Sequence, residues 1–550
     1  MALNSDYILK RFDSLAGLRS SWESIWQLCS NYVLPRSGEF SRQVHRLYDD
    51  TAPLALGRFA AALESFLVPR TRKWHTLVTG DPSLDETQEV NRWLEWVRDM
   101  LFRARYAPEA NFANQITEAF LSLGVHGTAC LFVDDDLGKG LRYKNIPIHQ
   151  LFLADDASGR VDTVFRAYNL TARQAFQEFG ESLPENILKD AGDAARAETE
   201  HEFIHGVFPR REIDPKRMDS RNMPYASVHL ARSARKVLRE SGYRSMPYVV
   251  SRFVLAPGEV YGRSPAMSVL PTIILVNLIE KTIVRAAEKM VDPPVLTADD
   301  DVLSGFSMKP AAIIPGGLDP QGNQLIKALL IDGKLPVGME MSEARRRVIN
   351  EAYYLNLFQI LAEKPGNQTA TEVVQRAQEK AQLLAPAMGR QQSELLRGLI
   401  VRELDILIAG GALHARPMPE ALRAAGAAIT PKYETEMTQA LDSSDGVAVM
   451  RFLQILGTIA QMGPRAAGVL DMVDFDKATQ ILRRSLGAPA DTIMAPELVA
   501  QLRKEKMEAE QTASMLAQAQ AAGVAGADFG SALGSLAQAG QTFGGMGSVQ

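Results

Sequence analysis

The stretch AMSVLPTIILVNLIEKTIVRAAEKMV, from Ala266 to Val291, predicts a single helix of 26 residues, which the next two prolines of the chain end. At 1.5 Å per residue this helix is about 39 Å long, more than twice the length of an average helix of ~11–12 residues. A second long helix is expected over Ser342–Ala362, and a third over Thr371–Ile408 with a kink at Pro386. Long helices therefore form the centre of this chain.

The residues before this centre predict helices first and strands afterwards. Apolar residues at helical spacing predict four helices. Asn4 or Ser5 is expected to cap the first of them. These helices are Ser5–Pro35, Thr51–Pro69, Asp85–Arg105 and Glu109–Leu123. Short β-rich runs between Asp and Gly turns, with one helix at Thr171–Phe179, then predict strands. The strands are Ala129–Val133, Leu141–Ile148, Leu151–Leu153, Val161–Tyr168, His201–Pro209, Ser227–Leu230 and Tyr248–Leu255. The expected class is α+β, mainly helical, with a mixed sheet.

The residues around and after the long helices are less regular. Between the first two long helices, a Gly- and Pro-rich segment predicts short strands at Pro294–Thr297, Ala311–Ile314 and Gln324–Leu330. One short helix and a strand are expected over residues 416–430. Further helices follow at Gly446–Met462, Asp474–Leu486 and Glu497–Gln518. Residues 511–550 are mostly Ala, Gly, Gln and Ser, which bury too little surface to offset ordering, and disorder is expected there.

The composition excludes several classes of protein. The 550 residues carry a formal net charge of −5, from 60 Lys and Arg against 65 Asp and Glu. Proteins that grip nucleic acid usually have a basic excess, so any contact with DNA is expected to be local or weak. Two cysteines exclude a disulfide framework and suit a reducing compartment. No secretory signal is visible, and the longest apolar run, Val269–Ile279, is shorter than the ~20 residues that cross a bilayer, so a soluble protein without a membrane partner is expected.

One short motif suggests metal chemistry. His201, Glu202 and His205 match the HExxH pattern of zinc proteases, which needs both imidazoles on one face of a helix. Here the alternation of apolar residues predicts a strand, where the two imidazoles would lie ~13 Å apart and could not share one metal ion. A structural strand is therefore preferred, and a zinc-dependent hydrolase is kept as an alternative.

No other motif points to an active site. The acidic runs Asp134–Asp136 and Asp299–Asp301 lack the alternating spacing and the terminal Glu of a calcium loop, and they fit solvated turns. The sequence contains no phosphate-binding GxxxxGK[ST] loop and no GxSxG nucleophile elbow. The chain is therefore expected not to be an enzyme and to hold no cofactor and no metal.

The polarity of the long helices suggests assembly. Runs such as Glu343–Arg347 and Arg376–Lys380 are too polar to lie inside the core of one monomer. Residues 363–368 between two of the helices are polar and small, as suits an exposed tip. Long helices with mixed charge can pack against copies of themselves around an axis. A subunit of a larger oligomer is therefore expected.

Several segments, in this order and spacing, resemble the portal (head-to-tail connector) proteins of short-tailed, T7-like bacteriophages. The resemblance extends from about Asn4 to Leu486. The segments are Trp22–Pro35 (WESIWQLCSNYVLP), Tyr48–Ala52 (YDDTA), Leu67–Leu77 (LVPRTRKWHTL), His205–Arg210 (HGVFPR), Tyr261–Leu278 (YGRSPAMSVLPTIILVNL) and Gln368–Glu372 (QTATE). The residues around Ile429–Lys432 match the family pattern least well.

The resemblance implies an architecture of wing, stem, clip and crown or barrel, assembled as a ring of about twelve subunits. Residues 1–263 would be the wing, 264–291 and 341–362 the two stem helices, and 292–340 the clip between them. Residues 363–370 would be the tunnel loop and 371–408 the kinked channel helix. Residues 409–445 would return to the wing, 446–510 would form the crown or barrel, and 511–550 the disordered tail.

The resemblance also implies partners and places the chain at one vertex of the virion capsid, and in the host cytoplasm during assembly. Double-stranded DNA would pass through the ring without sequence recognition, near Lys364, Asn367, Gln368, Arg376 and Lys380. The expected protein partners are further copies, the large terminase subunit, the scaffold and major capsid proteins, and tail adaptor or tube proteins. Expected functions are nucleation of head assembly, genome packaging, DNA retention and ejection. Another oligomeric virion protein, such as a tail adaptor, is a further alternative.

Overall fold

A computed structural model describes most of the chain. The described ranges are residues 4–34, 47–291, 295–297, 321–323, 326–328, 335–362, 388–461, 472–485 and 496–521, with residues 318, 492 and 494, and without residues 137, 139, 211, 214–218, 427 and 435. The chain divides into two compact units, Met1–Leu486 and Gly487–Gln550.

The first unit contains most of the helices. In chain order they are α1 Ser5–Val33, α2 Thr51–Leu67, α3 Pro82–Glu86, α4 Gln88–Arg105, α5 Phe112–His126, α6 Ala172–Phe179, α7 Glu185–Gly192, α8 Pro265–Val291, α9 Leu335–Ala352, α10 Leu355–Ala362, α11 Arg397–Ala409, α12 Glu420–Ala425, α13 Glu436–Ala460 and α14 Phe475–Ser485. The second unit contains α15, Pro496–Ala521.

The strands form antiparallel sheets wherever the structure describes their pairing. They are β1 His75–Val78, β2 Thr128–Asp135, β3 Leu141–Asn145, β4 Leu151–Asp155, β5 Val161–Thr171, β6 Glu200–Pro209, β7 Tyr225–Ala231, β8 Lys236–Tyr243, β9 Tyr248–Arg252, β10 Val295–Thr297, β11 Ile326–Ala328 and β12 Thr430–Tyr433. A five-stranded sheet has the order β4-β5-β6-β7-β8, and a three-stranded sheet the order β3-β2-β9. The expectation of a mixed sheet is wrong, because every described pair of strands is antiparallel. Short hairpin connections join β4 to β5 and β7 to β8, whereas the chain passes through α6 and α7 between β5 and β6.

The predicted class, α+β and mainly helical, is confirmed. Most predicted helices and strands occur within a few residues of their expected bounds. The predicted helix at Asp85–Arg105 is divided at Thr87, whose backbone is extended. Helix α7 and strands β1 and β8 were not expected from the sequence. Strand β8 (KVLRESGY) contains few apolar residues, so its sequence lacks the alternation of apolar and polar residues that predicts a strand.

Helix α1 begins where Asn4 caps it, with the Asn4 Oδ1 atom accepting the N–H of Asp6 at 3.0 Å. Its buried face carries Ile8 and Phe12, and these pack on apolar side chains of the five-stranded sheet such as Phe165 and Ile204. The long first helix thus covers a sheet that would otherwise expose one apolar face. The main core lies elsewhere, among helices α2, α4, α5, α8 and α11.

Helix α8 is the predicted long helix, one residue longer at its start. The Oγ atom of Ser264 accepts the N–H of Met267 at 3.0 Å and donates to the carbonyl of Val125 at 2.7 Å, so one side chain caps α8 and ties it to α5. By length and composition, α8 is the one described helix that could cross a membrane. Its observed contacts are those of a protein interior, because Ile273 and Val276 lie in the main core.

The second long helix differs from its prediction. It begins at Leu335, inside the segment expected to be the clip, and it is interrupted between α9 and α10. At the interruption Tyr354 adopts a left-handed backbone with φ of 58°. Tyr353 is fully buried there and lies edge-on to Phe59 of α2 at 5.7 Å between ring centroids. Packing of the aromatic rings against α2 accounts for the break, which helical periodicity alone does not reveal.

Two further helices, α13 and α15, differ from their predicted bounds. Helix α13 begins at Glu436, ten residues before the predicted start and inside the segment assigned to the returning wing. Helix α15 extends to Ala521, so the expectation of disorder is wrong for residues 511–521. That segment is mostly Ala and Gln, which lose little entropy in a helix. Residues 522–550 lie outside the described residues, as does the predicted strand Ala311–Ile314.

A close backbone contact fixes the entry to α8. An added Cβ atom at Gly262 would lie 2.3 Å from the carbonyl oxygen of Gly127, and one at Gly127 would lie 2.3 Å from that of Gly262. The N–H of Gly262 also donates to the Oγ1 atom of Thr128 at 2.9 Å. Two glycines therefore let the start of β2 and the residues before α8 touch through their backbones.

We predict that Gly262→Ala lowers the free energy of unfolding by roughly 1–3 kcal/mol, because backbone atoms must move apart to admit the methyl group. Gly57→Ala is the matched control: it lies in α2 with open space at its Cβ position, and the better helix propensity of Ala predicts a gain of about 0.5–1 kcal/mol. Denaturant unfolding of both variants measures the difference. Equal stability of the two variants would contradict the close approach of the two backbones.

Candidate functional site

The residues predicted to line a DNA channel lie outside the described residues. They are Lys364, Asn367, Gln368, Arg376 and Lys380. The kink predicted at Pro386 lies there as well. The described chain stops at Ala362, the end of α10, and resumes at Met388. The site is therefore built from the elements that hold the two ends of this segment.

The first of these elements is a pair of long helices, α8 and α9, joined by a polar cluster. The Nη2 atom of Arg346 on α9 lies 2.7 Å from the Oδ2 atom of Asp49 and 2.8 Å from the Oε1 atom of Glu280 on α8. Ser342 donates its hydroxyl to the same Glu280 oxygen. Burial opposes the charge on Arg346, but the hydrogen bond and charge of Asp49 and the charge of Glu280 outweigh it and raise the pKa of Arg346.

A buried amide extends this cluster to the segment before α2. The Oδ1 atom of Asn277 accepts the N–H of Tyr48 at 3.0 Å and of Asp49 at 3.3 Å, while its amide donates to the carbonyl of Ile273. The sequence YDDTA, from Tyr48 to Ala52, is thus fixed to the middle of α8. Helices α2, α8 and α9 form one frame, in which the polar groups of this cluster find partners as they become buried.

Both long helices leave apolar side chains exposed. On α9, Val337, Met341 and Val348 are 53%, 49% and 38% exposed, and their spacing of four and seven residues puts them on one face. On α8, Leu275 and Leu278 are also exposed. An apolar stripe on a long helix indicates that this face packs against another surface.

Where the described chain resumes after residue 387, it is held by a π-helical turn, Gln391–Leu396, before α11. Gln391 is fully buried, donates to the carbonyl of Arg252 at 3.0 Å and accepts the hydroxyl of Ser251. Glu394 accepts two bonds from the Arg252 guanidinium, at 2.8 and 3.3 Å. Both side chains thus bind residues of β9, and π-helical turns are frequent at functional sites.

A second buried cluster holds α11 itself. Arg105 on α4 and Glu403 on α11 are both fully buried and form a bidentate pair at 2.9 and 2.5 Å. Tyr143 donates its hydroxyl to Glu403 at 2.6 Å, and the guanidinium of Arg105 lies 4.5 Å from the centre of the Trp74 ring. Burial, together with the charge of Glu403, raises the pKa of Tyr143 far above its usual range, so the phenol stays a donor.

Sequence reasoning did not identify these anchoring residues. Asp49, Arg105, Asn277 and Glu403 stand apart in the chain, and only the fold brings their side chains together. One signal was present: Arg402 and Glu403 interrupt an otherwise apolar helix. Charged residues in such a position are buried only when they are paired, so they indicate a partner elsewhere in the chain.

The HExxH hypothesis does not fit the structure. His201 and His205 lie on strand β6, as the alternation predicted. The Nδ1 and Nε2 atoms of His205 pair with the hydroxyls of Tyr248 at 2.7 Å and Ser227 at 2.9 Å, and its ring stacks on His229 at 4.0 Å. Both nitrogens are occupied, and His205 has a structural role. Among the described residues no group of three or more His, Cys, Asp or Glu could hold a metal ion.

The acidic runs also lie in structural surroundings where they are described. Asp134 on β2 accepts the Arg402 guanidinium at 3.1 Å, and Asp135 accepts the N–H of Gly138 at 3.0 Å in the following turn. These carboxylates cap a hairpin and do not converge on a common point. Asp299–Asp301 lie outside the described residues.

Comparison with known proteins places this geometry in a family. A family model described as "Bacteriophage head to tail connecting protein" matches residues 5–494. The chain belongs to this family. The resemblance inferred from the sequence is therefore confirmed, and the chain is a component of a phage particle.

Two curated relatives agree with this assignment. The chain is 29% identical to a probable portal protein of Bordetella phage BPP-1, over 93% of this chain and 92% of that protein. It is 27% identical to the portal protein of Salmonella phage epsilon15, over 94% and 93% of the two chains. A solved structure titled as the neck of an empty GTA particle is similar over 77% of this chain and 93% of that chain, with 12% identity and a TM-score of 0.34.

For this connector chain we predict that Glu403→Gln lowers the free energy of unfolding by roughly 3–5 kcal/mol, because Arg105 keeps a buried charge without a counter-ion. Replacing both residues, as Arg105→Met with Glu403→Leu, should recover much of that loss. The control Glu198→Gln breaks an exposed pair with Arg173 and should change stability by less than ~1 kcal/mol. Denaturant unfolding measures all three. A loss for Glu403→Gln no greater than that of the control would contradict the account.

The buried histidines predict loss of stability in mild acid. Burial, and the nearby charge of His149, lower the pKa of His126 to about 3. In the unfolded chain the same imidazole titrates near ~6.5, so its contribution is present above that pH and is lost as the pH falls towards 3. Between about pH 4 and 6 the unfolded chain binds one more proton at this residue than the folded chain does. The free energy of unfolding therefore falls by about 1.4 kcal/mol for each unit by which the pH is lowered.

We therefore expect His126→Gln to reduce the dependence of unfolding free energy on pH by about 1.4 kcal/mol per unit between ~pH 4 and 6. The more accessible His414 provides the control, as His414→Gln. Denaturant titrations at several pH values measure the slope. A slope for His126→Gln equal to that of the control would show that His126 is not neutral in the folded chain.

Proposed function

We propose that this chain is the portal subunit of a phage, forming a ring through which double-stranded DNA enters and leaves the capsid. The observation that carries the proposal is the α8–α9 pair, two long helices fixed by Asp49, Glu280 and Arg346 and carrying an exposed apolar stripe on α9. Such a face suits contact with copies of the same chain around an axis. The expected ring contains about twelve copies.

In this proposal α8 and α9 form the stem, and the residues between them, 292–334, form the clip. The segment 363–370 is the tunnel loop, and the helix that continues into α11 lines the channel. Residues 1–263 and the β12 segment form the wing, which agrees with the pairing of β12 with β1, His75 opposite Tyr433. Helices α13 and α14 contribute to the crown.

The charge of the chain fits passage of DNA and does not fit tight binding. A duplex carries one negative charge per ~1.7 Å, and a strongly basic wall would hold it in place. With a net charge of −5, only local contacts are proposed, at Lys364, Asn367, Gln368, Arg376 and Lys380. The ring performs no chemistry itself and uses no cofactor or metal.

The proposed partners follow from the position of the ring at one capsid vertex. They are the large terminase subunit during packaging, the scaffold and major capsid proteins during head assembly, and the tail adaptor or tube proteins afterwards. The ring would nucleate the head in the host cytoplasm, retain the packaged genome and pass it to the tail on ejection.

The test is the mass of the purified protein, measured by native mass spectrometry or mass photometry. We predict a closed oligomer of about twelve chains for the natural sequence. The double substitution Met341→Lys with Val348→Lys should give monomers, because two charges would be desolvated in the contact between stems. Leu18→Lys is the control: it places a lysine at an exposed leucine of α1 and should leave the ring intact.

Circular dichroism of each variant shows whether the chain is folded. A folded monomer from the double variant and a ring from the control support the proposal. A natural chain that stays monomeric under assembly conditions, or a double variant that still forms rings, would overturn the assignment of the α9 stripe to the interface between copies.

A further inference from the structure

A basic cleft lies beyond the end of α2, outside the helix pair and the buried anchors. It is a shallow depression of about 720 Å³ that is largely open to solvent. Its walls include Arg70, Arg72, Lys73, Phe102, Arg103 and Tyr106. Four cations and one carboxylate, that of Asp99, line the cleft, and a second carboxylate, that of Glu64, pairs with Arg70. The overall charge of the protein is negative. The cleft is a local centre of positive potential on the surface.

Arg70 and Lys73 have carboxylate partners but remain accessible. Arg70 lies 2.6 Å from Glu64, and Lys73 lies 2.6 Å from Asp99, with side-chain exposures of 56% and 46% for the two cations. Ion pairs with such exposed cations contribute little to stability, and the cations can exchange one anionic partner for another. Arg103 is also exposed and donates to the backbone carbonyl of Asp99. These cations are thus available to an anion from outside the chain.

The cleft lies close to the point where the described chain leaves α10. Phe358 of α10 lies 6.4 Å from Phe59 and 5.5 Å from Phe66 of α2, between ring centroids, while Tyr353 before α10 lies at Phe59. Phe358 therefore packs on the last turn of α2, four residues before Arg70. Ala362 is four residues, or about 6 Å along the helix, beyond Phe358, so Ala362 and Arg70 are each four residues along the chain from this one ring contact.

We infer that Arg70, Arg72, Lys73 and Arg103 bind phosphates of the duplex DNA that passes the ring. The inference rests on the proposed portal function, since the segment after Ala362 is assigned there to the channel. Guanidinium groups bind phosphate oxygens through paired hydrogen bonds, and a cluster from a loop and a helix can follow a phosphate backbone. The position beside that segment favours DNA over an acidic protein partner.

The experiment measures binding of a fluorescein-labelled 30-base-pair duplex to the full-length protein by anisotropy, over a series of salt concentrations. The cleft variant is Arg70→Gln, Lys73→Gln and Arg103→Gln together. Its matched control is Arg173→Gln, Arg232→Gln and Arg235→Gln, three exposed arginines that also have carboxylate partners and change the net charge equally. A charge-retaining variant, Arg70→Lys with Arg103→Lys, completes the set.

For the cleft variant we expect affinity at low salt to fall on the order of tenfold. The slope of log K against log salt should decrease by about 0.9 for each phosphate that the variant no longer neutralises. The control should bind like the natural sequence. The charge-retaining variant should keep the natural salt slope, but lose the part of the affinity that the paired guanidinium hydrogen bonds supply. Equal reductions in the cleft variant and the control would show a general effect of net charge and would overturn the inference, as would unchanged affinity in both.

Electron microscopy of the same samples separates this inference from the proposed function. If the natural chain forms no ring, the portal proposal fails, while the anisotropy series still reports on the cleft. If the cleft variant alone fails to form rings, the cleft is an interface between copies, and the inference is wrong although the portal proposal stands. Intact rings with weakened DNA binding support both.

Discussion

A fully buried ion pair joins two parts of the fold that are far apart in the chain. Arg105 and Glu403 are 298 residues apart in the chain, yet their side chains form two hydrogen bonds inside the main core. Removing charges from water is costly, so the pair demands that α4, β3 and α11 stay in one arrangement that satisfies these donors and acceptors. The N-terminal helices thereby fix the direction in which the chain returns after residue 387.

A second polar cluster holds the helices that precede residue 363. Asp49, Glu280 and Arg346 join α2, α8 and α9, and Asn277 adds two backbone partners. Between the two clusters lies a continuous apolar core that includes the break at Tyr353. The two clusters and this core therefore hold the described chain on both sides of residues 363–387, and the exposed stripe of α9 lies on the same set of helices.

Much of this arrangement could be predicted from residue patterns. Helical and strand periods located most elements, and the strand periodicity around His201 and His205 argued correctly against a zinc site. The patterns could not locate the break at Tyr354 or the anchors at Arg105 and Asn277, because these depend on contacts between distant segments. The strands were expected in a mixed sheet because periodicity does not encode strand direction, and the observed antiparallel pairing includes strands far apart in the chain, such as β2 and β9. The basic cleft likewise joins a loop and a helix that are about thirty residues apart, so no local pattern reveals it.

The central claim is that copies of this chain stand side by side around a bore, with α8 and α9 between neighbours. An electron cryomicroscopy reconstruction of the purified protein tests it most directly. The account predicts a closed ring wide enough for a duplex, in which Met341 and Val348 of each α9 contact the neighbouring subunit. A reconstruction of an isolated subunit, or of a ring in which this face of α9 is turned to solvent, would contradict it.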